Sequence, residues 1–509
     1  MDGDRLLKNR HVYPLLFFVG ALLRGFPEAI VAKYPVGYDT TAHYPFNILN
    51  FNKLDFGEML LQAPLFYIIA HASIQLPGVD VFAFLKTAGP ILYGMLCASF
   101  YFLLKNAVGW RDKTAPVGAL IFELQVVTLR LSWDMFRLEL GLILMFTTLG
   151  LLVRKSSRTD YLVASLTVAT VLAHQIASLI FFFSSFWFVI RRTRLRKKFL
   201  SSLTPLLPGG ILFILVLYAT LYIPPPTDPR IMSTGPSGHF LSYFEIDPRL
   251  LEGSYFIIAR NIGMLMLFCY GLILPFIIKG FKRNEILDPV LVMLLLGSFS
   301  PLIVPFMSFP AVYWRWILLL VIPFAAYAAC GLVKLKRVWR KRAIGVWLIL
   351  LFFMSLSFGY ASGTLPLRSM YFQLKGETPK APSPNKISYG IIESVNTYVP
   401  VGLVASSTSV GDVTSVIDDC IASLEWLDKN APSESCLLTE ERFTSWARLH
   451  TSNEIKLAIY GGLTPVNKIL EEIESHEFTH IYMIWYSDVQ IEEFKEAYRH
   501  DTIAIYEYK

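Results

Sequence analysis

Up to about Gly363 the chain is a succession of apolar blocks separated by short charged loops, and from about Lys375 onward it reads like a soluble protein. That division constrains the fold more than any motif. A bilayer offers no partner to an unpaired backbone group, so a spanning segment must be a helix of roughly 20 mostly apolar residues. Only 17% of the residues are charged, against roughly 25% in soluble domains. We expect eleven spans, near 11–27, 80–106, 114–132, 135–153, 160–174, 176–190, 201–223, 254–278, 286–307, 313–333 and 343–361. The first block lacks a small-residue cleavage site and reads as an uncleaved span.

Topology follows from the basic loops. Clusters fall at Lys105–Lys113, Arg154–Arg158, Arg191–Lys198, Lys279–Arg283 and Lys334–Arg342. Counting 160–190 as two spans puts every cluster on the N-terminal side, which the positive-inside rule makes cytoplasmic. Counting it as one tilted helix puts the last two outside. The net charge of +7 sits in these runs, so it speaks for membrane orientation and not for nucleic acid.

The expected fold class is therefore a polytopic α-helical membrane protein with a C-terminal extracytoplasmic α/β domain. Residues 1–363 form the membrane domain with a large first external loop, 28–79. Residues 364–386 are a Pro-rich linker, and 387–509 the soluble domain. Within the first loop, QAPLFYIIAHASIQL (62–76) is a short helix that lies in the interface. Within the soluble domain we expect helices at ASLEWLDKNAP, LTPVNKILEEIESHE and DVQIEEFKEAYRH, and strands at SCLLT, THIYMIWY and TIAIYEY. Cys420 and Cys436 leave both a disulfide and two separate thiols open, and no Cys/His metal spacing occurs.

Ionisable groups at membrane depth are costly and mark function by default. The outer-face set is Asp39, His43, Asp55, Glu58, Asp134, Arg137, His174, His239, Glu245, Asp247, Arg260 and Arg315. Asp39, in YPVGYDTTAHYP, is either a carboxylate base or metal ligand at the boundary, or a helix N-cap. His43 would share its helix face. Arg315, in AVYWRWILLL, is either a bidentate phosphate contact or a snorkelling arginine in an aromatic belt. Asp134 is either the second acid of a divalent-cation site with oxygen ligands or a solvated partner of Arg137.

These residues resemble the GT-C superfamily of membrane glycosyltransferases, which use polyprenyl-phosphate-linked sugars. LLRGFPEAIVAKYPVGYD is similar to the end of the family's first span, where a carboxylate of the first external loop is catalytic. QAPLFYIIAHASIQLPGVDVFAFLKTAGPILYGML resembles its interfacial helix and second span. LTVATVLAHQIASLIFF, with its central His174, resembles the paired short helices, and YWRWILLLVIPFAAYAACGL the late span with a basic outer end. The tail resembles the extracytoplasmic domain of archaeal and bacterial members. Within the superfamily the layout resembles the aminoarabinose- and protein-mannosyl-transferring and archaeal oligosaccharyltransferase-like branch. The WWDYG motif of oligosaccharyltransferases is absent; LTEERFTSW stands there. Tyr38 and Thr40 flank Asp39 where that branch often shows paired acids.

The resemblance implies Asp39 as the catalytic base and Arg315 as the contact to the donor phosphate. Asp134, Arg137, His43 and His174 would contribute to substrate binding. Asp39 and Asp134 would be ligands if a divalent cation, Mg or Mn, takes part. The implied partners are a polyprenyl-phosphate-linked sugar, a lipid, glycan or protein acceptor, and membrane lipids. Transfer would be inverting, with one base, on the extracytoplasmic face of the cell membrane. Two other classes stay open: a transporter or flippase of a lipid-linked precursor, and a non-catalytic scaffold. The sequence shows no internal repeats, and its charges cluster at the outer ends of the spans, which favours the enzyme.

Overall fold

A computed structural model describes residues 11–30, 33–37, 40, 43–110, 113–153, 157–192, 202–222, 230–232, 254–303, 313–335, 342–353, 414–460, 478–487 and 493–508. In chain order the helices of the membrane part begin with α1 (Val12–Ile30), α2 (Tyr44–Leu49), α3 (Phe56–Leu61) and α4 (Leu65–Ile74). There follow α5 (Val81–Asn106), α6 (Thr114–Glu123), α7 (Val126–Asp134), α8 (Phe136–Leu152), α9 (Ser157–Ala173), α10 (Gln175–Arg192) and α11 (Leu207–Tyr222). After the short strand β1 (Ile231–Met232) come α12 (Ser254–Tyr270), α13 (Leu274–Gly280), α14 (Leu287–Ile303), α15 (Tyr313–Leu319) and α16 (Val321–Val333). The last apolar helix is α17 (Arg342–Phe353).

Three stretches among the described residues are long and apolar enough to cross a membrane: Val12–Ala29, Val81–Asn106 and Tyr313–Val333. Two helix pairs reach that length together but are bent, α6–α7 by 56° and α12–α13 by 82°. The remaining apolar helices are shorter. Both bends have local causes. Gln125 adopts an extended conformation between α6 and α7. Pro275, in the first turn of α13, suits a helix start but cannot continue one.

A further break falls at His174. The Ser178 hydroxyl donates to the carbonyls of both His174 and Thr170. In a straight helix residues eight apart are separated by about 12 Å along the axis, so the chain turns sharply here. The His174 Nδ1 accepts from Ile176 N–H at 3.1 Å and caps the restarting helix. Elsewhere close packing selects small residues. A Cβ on Gly280 would collide with the Tyr327 carbonyl, and one on Gly331 with that of Phe276, so α13 and α16 meet backbone to backbone.

The C-terminal part consists of α18 (Thr414–Asn430), β2 (Ser435–Glu440), α19 (Glu441–His450), β3 (Lys456–Tyr460), β4 (His480–Tyr486), β5 (Phe494–His500) and β6 (Ile503–Tyr508). They build one mixed sheet in the order β1-β3-β2-β4-β6-β5, parallel from β1 to β4 and antiparallel from β4 to β5. Its core, around Trp446, Leu437, Ile484 and Ile505, is separate from the bundle core.

One expected helix is a strand. FKEAYRH forms the edge strand β5, paired with β6. Its charged Lys495, Glu496 and Arg499 imitate a helix surface but suit a strand edge facing water. The expected helix at 463–477 lies outside the described residues. Cys420 and Cys436 are both buried and no disulfide joins them.

The two parts are joined by specific contacts. The Tyr34 ring meets Phe82 of α5 and Trp446 of α19 edge-on, at 5.2 and 5.4 Å. Asp418 accepts from the Tyr34 hydroxyl and pairs with Lys33, both at 2.6 Å. Burial pushes the Tyr34 phenol up to about 12, and its hydrogen bond to Asp418 adds to this. Strand β1, drawn from the chain between α11 and α12, pairs with β3 and ties that connection to the sheet.

Candidate functional site

The loop that follows α1 is pinned by a buried ion network. Arg24, on α1, is fully buried and bonds Glu28 at 2.6 Å, one turn along. Its Nε also donates to the Ser132 carbonyl on α7 at 3.3 Å. Glu28 accepts from Val36 N–H at 3.0 Å and lies 3.8 Å from the Lys86 ammonium. Lys86 donates in turn to the carbonyls of Glu28 and Tyr34. Further along, the Thr40 hydroxyl donates to the Trp133 carbonyl. The loop is thus fastened at Val36 and at Thr40, and both fastenings reach the C-terminal end of α7. Asp39 lies outside the described residues, as does the side chain of Asp134.

Beside this anchorage lies a cavity of about 280 Å³, lined by His43, Tyr44, Asn47, Tyr67, Met135, Arg137, Leu138, His174, Ile176 and Arg315. Four residues singled out from the sequence, His43, Arg137, His174 and Arg315, therefore share one cavity although they come from four parts of the chain. Arg137 is held by the Gln62 carbonyl and lies 5.3 Å over the Tyr67 ring. The Arg315 guanidinium lies 5.2 Å from the Trp314 ring, and its buried Nε has no hydrogen-bond partner among the described residues. Arg130 of α7 approaches the same indole at 5.9 Å. Because the His174 Nδ1 accepts from Ile176, the proton of its neutral ring resides on Nε2. Guanidinium forks, an imidazole N–H and a phenol make this cavity rich in donors, the chemistry that recognises an anion such as phosphate.

A second feature lies along the same helix. An apolar groove of about 470 Å³ runs between α10 and α11, lined by Leu179, Phe182, Phe183, Phe186, Leu206 and Leu207 among others. Ile176, in the cavity, and Leu179, Phe183 and Phe186, in the groove, are spaced three or four residues apart and share one face of α10. That face extends about 15 Å from the cavity into the apolar region.

Arg137 meets the Gln62 carbonyl and the Tyr67 ring, and its expected pairing with Asp134 falls on a side chain outside the described residues. Asp55 and Glu58 form a capping box at the start of α3 and take no part in the cavity. Arg260 is exposed. His239, Glu245 and Asp247 lie outside the described residues. The metal reading of Asp39 and Asp134 falls there too. Among the described residues, Asp419, His500 and Asp501 offer ligand atoms within 4.8 Å of one another. Asp419 already accepts from Thr502 and bonds His500 there.

Sequence reasoning missed Tyr44, Asn47 and Tyr67, whose neutral side chains carry no charge signal. It also missed two carboxylates inside the spans. Glu123 and Glu139 are fully buried, and all four oxygens lack hydrogen-bond partners among the described residues. The ionisable groups are therefore not confined to the outer ends of the spans.

No family model matches the chain, and no curated protein matches it. Among solved structures it is similar to the crystal structure of ArnT from Cupriavidus metallidurans bound to undecaprenyl phosphate. The match covers 97% of this chain and 98% of that one, at 11% identity and a TM-score of 0.46.

Proposed function

We propose that this protein is a membrane glycosyltransferase of the GT-C type, moving a sugar from a polyprenyl phosphate to an acceptor on the extracytoplasmic face. The observation that carries this reading is the convergence of Arg137 and Arg315 on one cavity that shares a helix face with an apolar groove. An isoprenoid phosphate needs those two environments side by side. Its tail would lie along α10, and its phosphate would meet the guanidiniums.

In this reading Arg315 binds the phosphate and stabilises the charge that grows on it as the glycosidic bond breaks. The His174 Nε2–H and Arg137 complete the anion site. Asp39, the neighbour of Thr40 in sequence, is the general base that takes the proton of the acceptor hydroxyl. The acceptor oxygen attacks the anomeric carbon opposite the leaving phosphate, and the configuration inverts. A phosphate monoester leaves readily, so no second, acidic carboxyl is needed.

The test is transfer from a radiolabelled lipid-linked sugar in membranes carrying each variant. Asp39→Asn should lower the rate on the order of 10²–10⁴-fold. Full transfer by Asp39→Asn would remove Asp39 from the role of base.

Glu123 and Glu139 support a second reading, transport of a lipid-linked precursor, since unpartnered acids inside a bundle are typical of ion-coupled carriers. Movement of the labelled lipid across proteoliposomes without glycosidic exchange, lost in Glu123→Gln, would favour it over transfer.

A further inference from the structure

The turn that joins α3 to α4 holds its backbone in a costly conformation. Ala63 is buried and has a φ of +50°, in the left-handed region. Alanine rarely adopts that region, and a helix that ends through it usually places glycine there. Pro64 follows, and a proline pushes the residue before it towards extended backbone. Both the Ala63 Cβ and the neighbouring ring therefore oppose the observed turn. Such an outlier persists only where its surroundings over-determine it, and outliers of this kind gather where a protein works.

Side chains from two other helices meet this turn. Gln175, the first residue of α10, donates from Nε2 to the Leu61 carbonyl at 2.7 Å. The next carbonyl, that of Gln62, accepts from the Arg137 guanidinium of α8. The chain then swings left-handed at Ala63, and α4 begins, with the Pro64 carbonyl accepting from Ile68 N–H at 2.8 Å. Four residues beyond the swing stands Tyr67, whose ring lies 5.3 Å from the same guanidinium. Arg137 is therefore gripped by one group before Ala63 and one after it. The backbone angle at Ala63 sets how those two groups face each other. An arginine ordered before its ligand arrives has already met part of the entropy cost of binding.

We propose that Gln175 is a positioning residue for Arg137. By holding the Leu61 carbonyl it keeps the turn in the conformation that presents Arg137 to the cavity. Gln175 is not among the residues lining that cavity, although His174 and Ile176 on either side of it are, so its influence passes through the turn. The proposal takes the cavity as the phosphate site and so rests on the transferase reading.

The test is a double-mutant cycle, read by equilibrium binding of undecaprenyl phosphate to the full chain in nanodiscs. Gln175→Leu keeps most of the side chain's bulk and removes the donor; Gln175→Met, of similar length, runs beside it and should behave alike. Either should weaken binding roughly three- to tenfold, the range of one neutral hydrogen bond, while Arg137 is present. Neither should weaken it further once Arg137→Ala is in place. Adding Ala63→Gly to Gln175→Leu should recover most of the lost affinity, because glycine takes the left-handed conformation without being held. Equal losses with and without Arg137, or no recovery with glycine, would overturn the proposal. The same cycle on melting temperature needs no ligand. If the wild type fails to bind undecaprenyl phosphate, the transferase reading falls and the melting temperatures decide alone. Coupling between Gln175→Leu and Arg137→Ala then keeps the positioning role, and strict additivity removes it.

Discussion

The membrane bundle and the C-terminal domain treat their buried acids in opposite ways. In the domain, Asp419 is nearly inaccessible and both of its oxygens are engaged. One meets the His500 ring at 3.2 Å, and the other accepts from the Thr502 hydroxyl at 2.6 Å and its N–H at 3.2 Å. That carboxylate fastens the turn between β5 and β6 to α18. Among the described buried acids of the bundle, Glu28 is served in this way, by Arg24 and Lys86, while Glu123 and Glu139 have no partner among the described residues. Buried polar groups are nearly always satisfied, and the exceptions concentrate where a protein works. The domain therefore uses charge for architecture, whereas the bundle divides it between architecture and function.

The sharpest way to break this contrast is Arg24→Ala. It leaves the Glu28 carboxylate buried without its nearest counter-charge, a change that costs about 3–5 kcal/mol in comparable sites. Thermal unfolding in detergent should show a large loss, and adding Glu28→Gln should restore part of it. An unchanged melting temperature would mean that Arg24 is not an anchor.

A smaller effect is expected from acid within the domain. Burial holds the His450 imidazole below its ordinary range, with Glu425 at 3.8 Å opposing the shift only partly. A depressed folded-state value means that the unfolded chain binds the proton first. His450 therefore contributes full stability above the ordinary histidine range and loses it as pH falls through that range. Replacing His450 with Gln should flatten the fall in domain stability between about pH 7 and 5, a window set by the ordinary value near 6.5. An identical pH profile would dismiss it.

The smallest effect belongs to the contact between the two parts. Lys33 and Asp418 approach to 2.6 Å but are 59% and 44% exposed, and such pairs contribute roughly 0.2–1 kcal/mol. Asp418→Asn should shift stability within that range. A larger shift would assign the joint to charge and not to the Tyr34–Trp446 packing.

The division into an apolar bundle and a mixed sheet is legible because hydrophobic spacing is a local signal. Arg315 and Arg137 are legible for a related reason: a guanidinium near a lipid boundary is costly enough to stand out. Asn47, Gln62 and Tyr67 are not, because a neutral side chain in a half-apolar helix looks the same whether it faces lipid, cavity or cleft. Glu123 and Glu139 hide within apolar runs whose average swamps one acid. Strand β5 reads as a helix in the sequence because Lys495, Glu496 and Arg499 on a sheet edge reproduce the polarity of a helix surface. The sharing of one cavity by His43, Arg137, His174 and Arg315 depends on the turn at His174, which the basic loops signal by requiring two spans across 160–190, and on the anchorage of the first loop, which has no sequence signature.

The most direct measurement is equilibrium binding of undecaprenyl phosphate to the full chain in nanodiscs. The account predicts saturable binding, weakened roughly 10- to 100-fold in Arg315→Ala, as expected for loss of a charge-assisted contact. It predicts no change in Glu123→Gln, whose carboxylate does not line the cavity. Equal affinity in wild type and Arg315→Ala, or binding lost only in Glu123→Gln, would contradict it.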